Sequence, residues 1–269
     1  DGQNRLAVLI DADNAQASVV EGLLAEVAKY GLASVKRIYG DFTAQNSNSW
    51  KKVLLKHSIN PVQQFAYTTG KNATDSSLII DAMDLMYTGR FDGMCLVSSD
   101  SDFARLAQRL REEGLTVYGF GEQKTPDAFV QACDKFIYTE ILRPEAPTVV
   151  VAPPAPEKSA EAKPAEPQKA KPATAAPQAT PTPASPGPHA LPMDLLHQAI
   201  EEASDEEGWA HMGQMGAYLN KIKPGFDSRL YGEKKLSDLL RKYPTEFSIV
   251  ERGMTATGGK VLYIKSLSR

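Results

Sequence analysis

The sequence predicts two folded domains: an α/β domain with a mostly parallel sheet, followed by a small domain of helices that ends in a hairpin. Three observations predict this. Short apolar runs alternate with helical periodicity as far as about Leu142, a proline-rich stretch follows, and amphipathic helices then precede two strands. The 269 residues are 42% hydrophobic, which is sufficient for substantial cores and excludes a chain that is disordered throughout.

The first domain is predicted as an alternation of buried strands and covering helices, which favours a parallel sheet. Its strands are short and rich in β-branched or aromatic residues. They are predicted at Leu6–Ile10, Ser34–Tyr39, Val62–Ala66, Met94–Val97, Thr116–Phe120 and Phe136–Tyr138. The helices between them are predicted at Ala15–Lys29, Ser49–His57, Ser76–Tyr87, Asp102–Glu113 and Pro126–Cys133.

A proline-rich segment separates the two domains. Of the 18 prolines, 14 lie between Pro144 and Pro192, among alanine, lysine, glutamate and threonine. This composition buries too little surface to fold and favours extended geometry. We therefore predict domains at 1–143 and 191–269 joined by a disordered linker over 144–190. Such a tether would keep the second domain near the first without a fixed interface.

Charge and cysteine content exclude several classes of protein. The net charge of −3 does not by itself demand a nucleic-acid partner, so any such argument must be local. The two cysteines, Cys95 and Cys133, lack the spacing of a disulfide framework or a zinc site. No apolar stretch approaches the roughly 20 residues that span a bilayer. We expect a soluble cytoplasmic protein without a membrane partner.

The first domain carries acidic residues at the ends of its predicted strands. Asp11 follows the first strand, Asp100 and Asp102 follow the fourth, and Asp75 opens the helix that precedes the fourth. Ligands of open α/β sheets bind at the carboxyl ends of the strands, where these side chains would converge. Carboxylates brought together resist joint ionisation unless a cation neutralises them. Hard Mg²⁺ or Mn²⁺ fits this donor set better than zinc.

The chemistry suited to such a site is hydrolysis of a phosphodiester, with water activated by the metal. Asp11 and Asp100 would be principal metal ligands, and Asp75 would be a ligand or would orient the water. Asp102 would hold a metal-bound water or a second ion. The alternative is that these polar residues only cap helices, with Asn14, Asp75 and Ser101 at the helix starts.

Three ordered motifs of the first domain resemble those of NYN domains, a branch of the PIN-like nucleases. The motifs are Leu9–Asn14, Lys71–Asp75 continuing to Ala82, and Val97–Phe103. The resemblance covers about Arg5 to Leu142. It implies a PIN-like three-layer α/β fold, a metal-dependent ribonuclease site and Asp11, Asn14, Asp75, Asp100 and Asp102 as the matching positions.

The C-terminal segment is locally basic. From Gly208 to Arg269 it contains 11 lysines and arginines against 5 acidic residues. The basic residues cluster around the second and third predicted helices, with Tyr231 and Tyr243 among them. Basic groups can engage phosphates while aromatic faces stack on bases, which indicates a nucleic-acid surface. The alternative is a solvated helix face over core tyrosines.

Three predicted helices followed by a hairpin, Phe247–Val250 and Val261–Ile264, form a winged-helix layout. The segments that resemble the LOTUS domain, also called OST-HTH, include Gly208–Trp209, Phe226–Gly232, Lys235–Leu240 and Val261–Ile264. The resemblance implies a module that binds RNA or, in some relatives, a protein partner.

Candidate substrate contacts are predicted in both domains. In the C-terminal domain they are Arg229, Lys234 and Lys235. In the first domain they are Asn14, Lys71 and Ser98.

Together these features predict a Mg²⁺- or Mn²⁺-dependent endoribonuclease with a C-terminal RNA-binding module. The competing hypothesis is a non-catalytic RNA-binding or regulatory adaptor whose aspartates bind a structural ion or none. A third, nucleotide-binding interpretation lacks support because no glycine-rich phosphate loop is present. A homodimer is expected only by analogy with other PIN-like domains.

Overall fold

The fold is that of a computed structural model, which describes residues 3–43, 48–64, 73–143, 190–254 and 260–267. It contains an N-terminal α/β domain and a C-terminal domain of helices and a small sheet. Both predicted domains are therefore present in the expected order. The predicted linker lies outside the described residues except for Ala190.

The N-terminal domain is built on a six-stranded parallel sheet. The strands are β1 (Arg5–Asp11), β2 (Leu32–Gly40), β3 (Asn60–Gln63), β4 (Gly93–Val97), β5 (Thr116–Gly121) and β6 (Lys135–Tyr138). Their order across the sheet is β3-β2-β1-β4-β5-β6, and every pairing is parallel. The ends of β1 and β4 are adjacent, as the sequence argument required.

Helices cover both faces of this sheet and produce three layers. The helices are α1 (Val20–Val27), α2 (Asn48–His57), α3 (Ala73–Tyr87), α4 (Phe103–Glu112) and α5 (Asp127–Ala132). On one face, α3, α4 and α5 pack on the sheet residues Ala7 and Leu9. On the other face, α1 and α2 pack on Leu6, Val8 and Ile10. Strand β1 is apolar on both sides because both of its faces are buried.

The C-terminal domain contains three helices and a three-stranded antiparallel sheet. The helices are α6 (Met193–Ala203), α7 (Met212–Ile222) and α8 (Leu236–Arg241), and the strands are β7 (Ala210–His211), β8 (Phe247–Met254) and β9 (Lys260–Ser266). The sheet order is β7-β9-β8. One core joins the helices to the hairpin, with Leu196, Leu219, Leu240 and Ile264 at its centre.

The elements differ from the sequence predictions at a few positions. Strand β3 lies at Asn60–Gln63, earlier than the predicted Val62–Ala66, and the last two residues of that prediction are outside the described part. The two-residue strand β7 was not predicted, because pairing with β9 rather than local pattern creates it. In the ranges that the structure describes, no helix combines the length and apolar character needed to cross a membrane.

Candidate metal centre

The candidate site begins at Asp11, the last residue of β1. Its side chain is fully buried, at 0% exposure, where it faces the adjacent end of β4. Three donors hold its carboxylate: the Ser98 hydroxyl at 2.7 Å, the Asn14 amide at 2.7 Å and the Asp13 backbone N–H at 3.0 Å. The buried polar group is therefore satisfied, as a buried carboxylate must be.

Ser98 connects the two strand ends. While its hydroxyl donates to Asp11, the same oxygen accepts from the backbone N–H of Asp100 at 3.1 Å. The Asp100 carboxylate in turn accepts from the Asp102 N–H at 2.9 Å. This chain of hydrogen bonds fixes the loop between β4 and α4 relative to β1, and so orients the acidic side chains that the loop carries.

Three carboxylates meet beside this network. Ligand oxygens of Asp75, Asp100 and Asp102 all lie within 4.8 Å of one another. Asp75 and Asp100 are half-buried, whereas Asp102 is exposed. Asp75 comes from the first turn of α3, and the other two come from the loop after β4. The cluster is thus assembled from two segments that are separated in the sequence.

The electrostatics of the cluster follow from this crowding. Burial and then the negative charges of Asp11, Asp100 and Asp102 raise the pKa of Asp75 to about 6. Burial also raises the pKa of Asp11, against the opposing effect of its hydrogen bonds from Asn14 and Ser98. Asp11 therefore lies close enough to influence the cluster electrostatically, although the tight group is formed by the other three aspartates.

Helix α3 is positioned by an ion pair on the neighbouring strand. Asp81 accepts from the Arg37 guanidinium at 2.7 Å and from the Tyr39 hydroxyl at 2.8 Å. Both partners lie on β2, and Tyr39 is fully buried. Because Asp81 and Asp75 share α3, this contact fixes the helix that carries Asp75 into the cluster. Asp81 therefore has a structural role in the site, since its carboxylate is used by β2.

The donor set suits a hard divalent cation. The three clustered ligands are carboxylate oxygens, which Mg²⁺ and Mn²⁺ prefer, and the group includes neither the histidine nor the cysteine that zinc favours. A cation would also neutralise the mutual repulsion that raises the pKa of Asp75. The residues present therefore fit the metal predicted from the sequence.

The structure brings the predicted acidic residues together and limits the capping alternative. The side-chain amide of Asn14 donates a hydrogen bond to Asp11 and does not cap a helix, since α1 begins only at Val20. The N-cap residue of α4 is Asp102 and not the predicted Ser101, and its side chain makes no capping hydrogen bond. Lys71, a predicted substrate contact, lies outside the described residues. Sequence reasoning missed Arg37 and Tyr39, because their partner is 44 and 42 residues away.

The basic candidates of the C-terminal domain fall into two groups. Lys234 and Lys235 are exposed. Arg229 instead binds Asp227 and also Glu26 of the N-terminal domain, and its side chain is only 25% exposed. Tyr231 and Tyr243 pack against the domain core, as the alternative interpretation of these aromatics required.

The sequence of residues 5–142, which form the N-terminal α/β domain, matches the NYN domain. The chain belongs to the NYN domain family. NYN domains are part of the PIN-like nuclease superfamily. The OST-HTH/LOTUS domain matches residues 189–257, which indicates an RNA-binding module after the NYN domain. No curated protein matches the chain.

Two solved structures are similar to parts of the chain. One is the solution structure of an uncharacterized protein of Nitrosomonas europaea, with 40% identity over 36% of this chain and 90% of that one, at a TM-score of 0.28. The other is the crystal structure of a protein of unknown function from Vibrio parahaemolyticus, with 18% identity over 51% of this chain and 93% of that one, at a TM-score of 0.43.

Proposed function

We propose that this protein is a metal-dependent endoribonuclease whose C-terminal domain binds the RNA substrate. The observation that carries the proposal is the cluster of Asp75, Asp100 and Asp102 beside the buried Asp11. Membership in a nuclease superfamily supports the reaction class, and the LOTUS domain supports RNA as the substrate.

Each residue of the site has a distinct role in this proposal. Asp75 and Asp100 would hold Mg²⁺ or Mn²⁺ together with Asp11, and Asp102 would complete the cluster as a further ligand or through a bound water. When bound, the cation would neutralise charge on the phosphate and lower the pKa of the attacking water. Without it, the carboxylates would repel the phosphodiester. Ser98 and Asn14 orient the Asp11 carboxylate through their hydrogen bonds, and Asn14 would also contact the substrate.

The test is cleavage of an end-labelled single-stranded RNA by the purified chain. We expect cleavage with Mn²⁺ or Mg²⁺, none with EDTA, and products ending in a 3′-hydroxyl and a 5′-phosphate. The matched DNA strand measures sugar preference. If the folded chain binds several RNAs without cutting any of them in either metal, the endonuclease is wrong and the protein is an RNA-binding adaptor.

The two exposed lysines of the C-terminal domain provide a prediction for RNA binding. We expect Lys234→Ala with Lys235→Ala to raise the RNA concentration for half-maximal cleavage severalfold without changing the maximal rate. The reason is that phosphate contacts add affinity but neither lysine belongs to the acidic cluster. The dependence of log affinity on log salt should flatten by about one unit per lysine.

The matched control for this pair is Lys242→Ala. Lys242 lies in the same basic cluster but is paired with Glu233 at 2.5 Å, so its loss should change affinity less. Equal affinity in the double variant and the wild type would contradict the assignment of these lysines to the RNA surface.

A further inference from the structure

The structure contains a contact between the two domains that the predicted flexible tether did not lead us to expect. Glu26, near the end of α1, receives two hydrogen bonds from the Arg229 guanidinium of the C-terminal domain, at 2.9 and 3.0 Å. The two residues are 203 positions apart in the sequence. A paired geometry of this kind is directional and stronger than a single charged hydrogen bond.

Both residues of this ion pair have further hydrogen-bond partners that hold them in place. Asp227 holds Arg229 from the other side, through Nε at 2.9 Å and Nη2 at 2.6 Å. Glu26 also accepts from Lys29 at 2.6 Å and from the Tyr30 hydroxyl at 3.0 Å. The Glu26 side chain is only 5% exposed. An exposed surface ion pair has neither this burial nor this number of partners.

The pKa of the Glu26 carboxylate also reflects the contact with Arg229. Burial alone would raise its pKa, but the hydrogen bonds from Arg229 and Lys29 outweigh burial and lower the pKa to about 2. The carboxylate is therefore charged at neutral pH, and the loss of Arg229 would remove the largest of the interactions that hold it in that form.

A separate contact lies along the outer edge of β6. The Phe136 backbone N–H donates to the Pro224 carbonyl at 3.0 Å, although Pro224 belongs to the C-terminal domain. The next residue, Gly225, approaches so closely that a Cβ there would lie 2.9 Å from the Tyr138 hydroxyl and 3.1 Å from a methyl of Val130. This backbone contact involves no charged group, so it is independent evidence of fit.

We propose that the C-terminal domain docks on the NYN domain through this surface in the native chain, with Arg229 as a docking residue and not an RNA contact. The docking interface consists of Glu26, Phe136 and Tyr138 on one side and Pro224, Gly225 and Arg229 on the other. Its occupant is the chain's own C-terminal domain, brought to it at high effective concentration by the linker.

The docking interface lies on a different part of the N-terminal domain from the acidic cluster. Glu26 is near the end of α1, just before β2 begins at Leu32, which pairs with the first residue of β1. Asp11 and Asp100 instead lie at the carboxyl ends of β1 and β4. The Arg229 contact is therefore at the end of the sheet opposite to the cluster, and docking does not involve the cluster.

The proposal is tested by measuring hydrogen exchange of the Phe136 amide in the full chain, without RNA or metal. Its N–H is bonded to Pro224 and so reports docking directly. We expect this amide to be protected in the wild type. In Glu26→Gln its exchange rate should rise at least about tenfold, while the exchange rates of the β1 amides stay unchanged. The matched control is Glu21→Gln, on the same helix, whose carboxylate forms an exposed pair with Lys56.

A second variant tests the contact without altering charge. Gly225→Val places methyl groups where the Tyr138 hydroxyl and Val130 lie, and we expect the same loss of Phe136 protection. An unprotected Phe136 amide in the wild type would overturn the proposal. So would equal protection in the wild type and in both variants. Because the measurement needs no cleavage, its failure is distinct from failure of the nuclease assignment.

Discussion

Replacing Asp100 with asparagine is expected to lower RNA cleavage by at least about 100-fold and to make the metal-free protein more stable. Loss of a residue that only orients a ligand costs 10- to 100-fold, and a direct ligand should cost at least that. The gain in stability has a different cause. Asp75 and Asp102 repel Asp100 within 4.8 Å, and the neutral amide removes one of the three charges.

Thermal unfolding with and without metal checks this prediction. Mn²⁺ should raise the Tm of the wild type, because it binds the folded state, and should raise that of Asp100→Asn much less. Asp84→Asn is the matched control, since Asp84 is an exposed aspartate of α3 outside the cluster. Full activity in Asp100→Asn, or a metal response equal to the wild type, would remove Asp100 from the site.

Gly121→Ala is expected to destabilise the protein by about 1–3 kcal/mol and to reduce cleavage, although Gly121 carries no chemistry. A Cβ on Gly121 would lie 2.5 Å from the Ser98 carbonyl and 2.7 Å from the Thr125 hydroxyl. The Ser98 backbone must then move, and its hydroxyl carries the hydrogen bonds to Asp11 and Asp100. The steric clash at Gly121 is therefore expected to disturb the acidic site as well as the packing.

Chemical denaturation and cleavage by the same sample measure both effects. The control is Gly216→Ala in α7, where the added Cβ would make only an ordinary contact, 3.7 Å from the Leu236 side chain. Alanine there should be neutral or stabilising by up to about 1 kcal/mol. If Gly121→Ala were as stable and active as the wild type, the close approach at Ser98 would not constrain residue 121 to glycine.

The glycines of β5 also show what a short motif can mean. Gly119 and Gly121 match the first two glycines of a dinucleotide fingerprint, but the third glycine is missing because Lys124 stands at its position. In the structure, a Cβ on Gly119 would meet the Phe136 ring at 2.4 Å and the Cys133 sulfur at 2.7 Å. Both glycines are required because the neighbouring elements approach β5 so closely.

The sheet and the acidic strand ends could be predicted because they depend on local pattern. An apolar run followed by Asp11, and another followed by Asp100, place both acids at one edge as soon as the strands are parallel. The partners of Asp81 and Glu26 could not be predicted. Arg37, Tyr39 and Arg229 reach them only through packing between distant elements, and nothing in the local sequence marks which carboxylate a given arginine will meet.

The hydrogen bond from Phe136 to Pro224 also bears on how the N-terminal domain would behave alone. Strand β6 is an edge strand, and an uncovered edge is a template for pairing with the edge of another molecule. A fragment ending near Leu142 would present that edge with the neighbouring Tyr138 and Val130 uncovered. We expect such a fragment to self-associate in proportion to its concentration, so that its assembly state would reflect truncation and not the native protein.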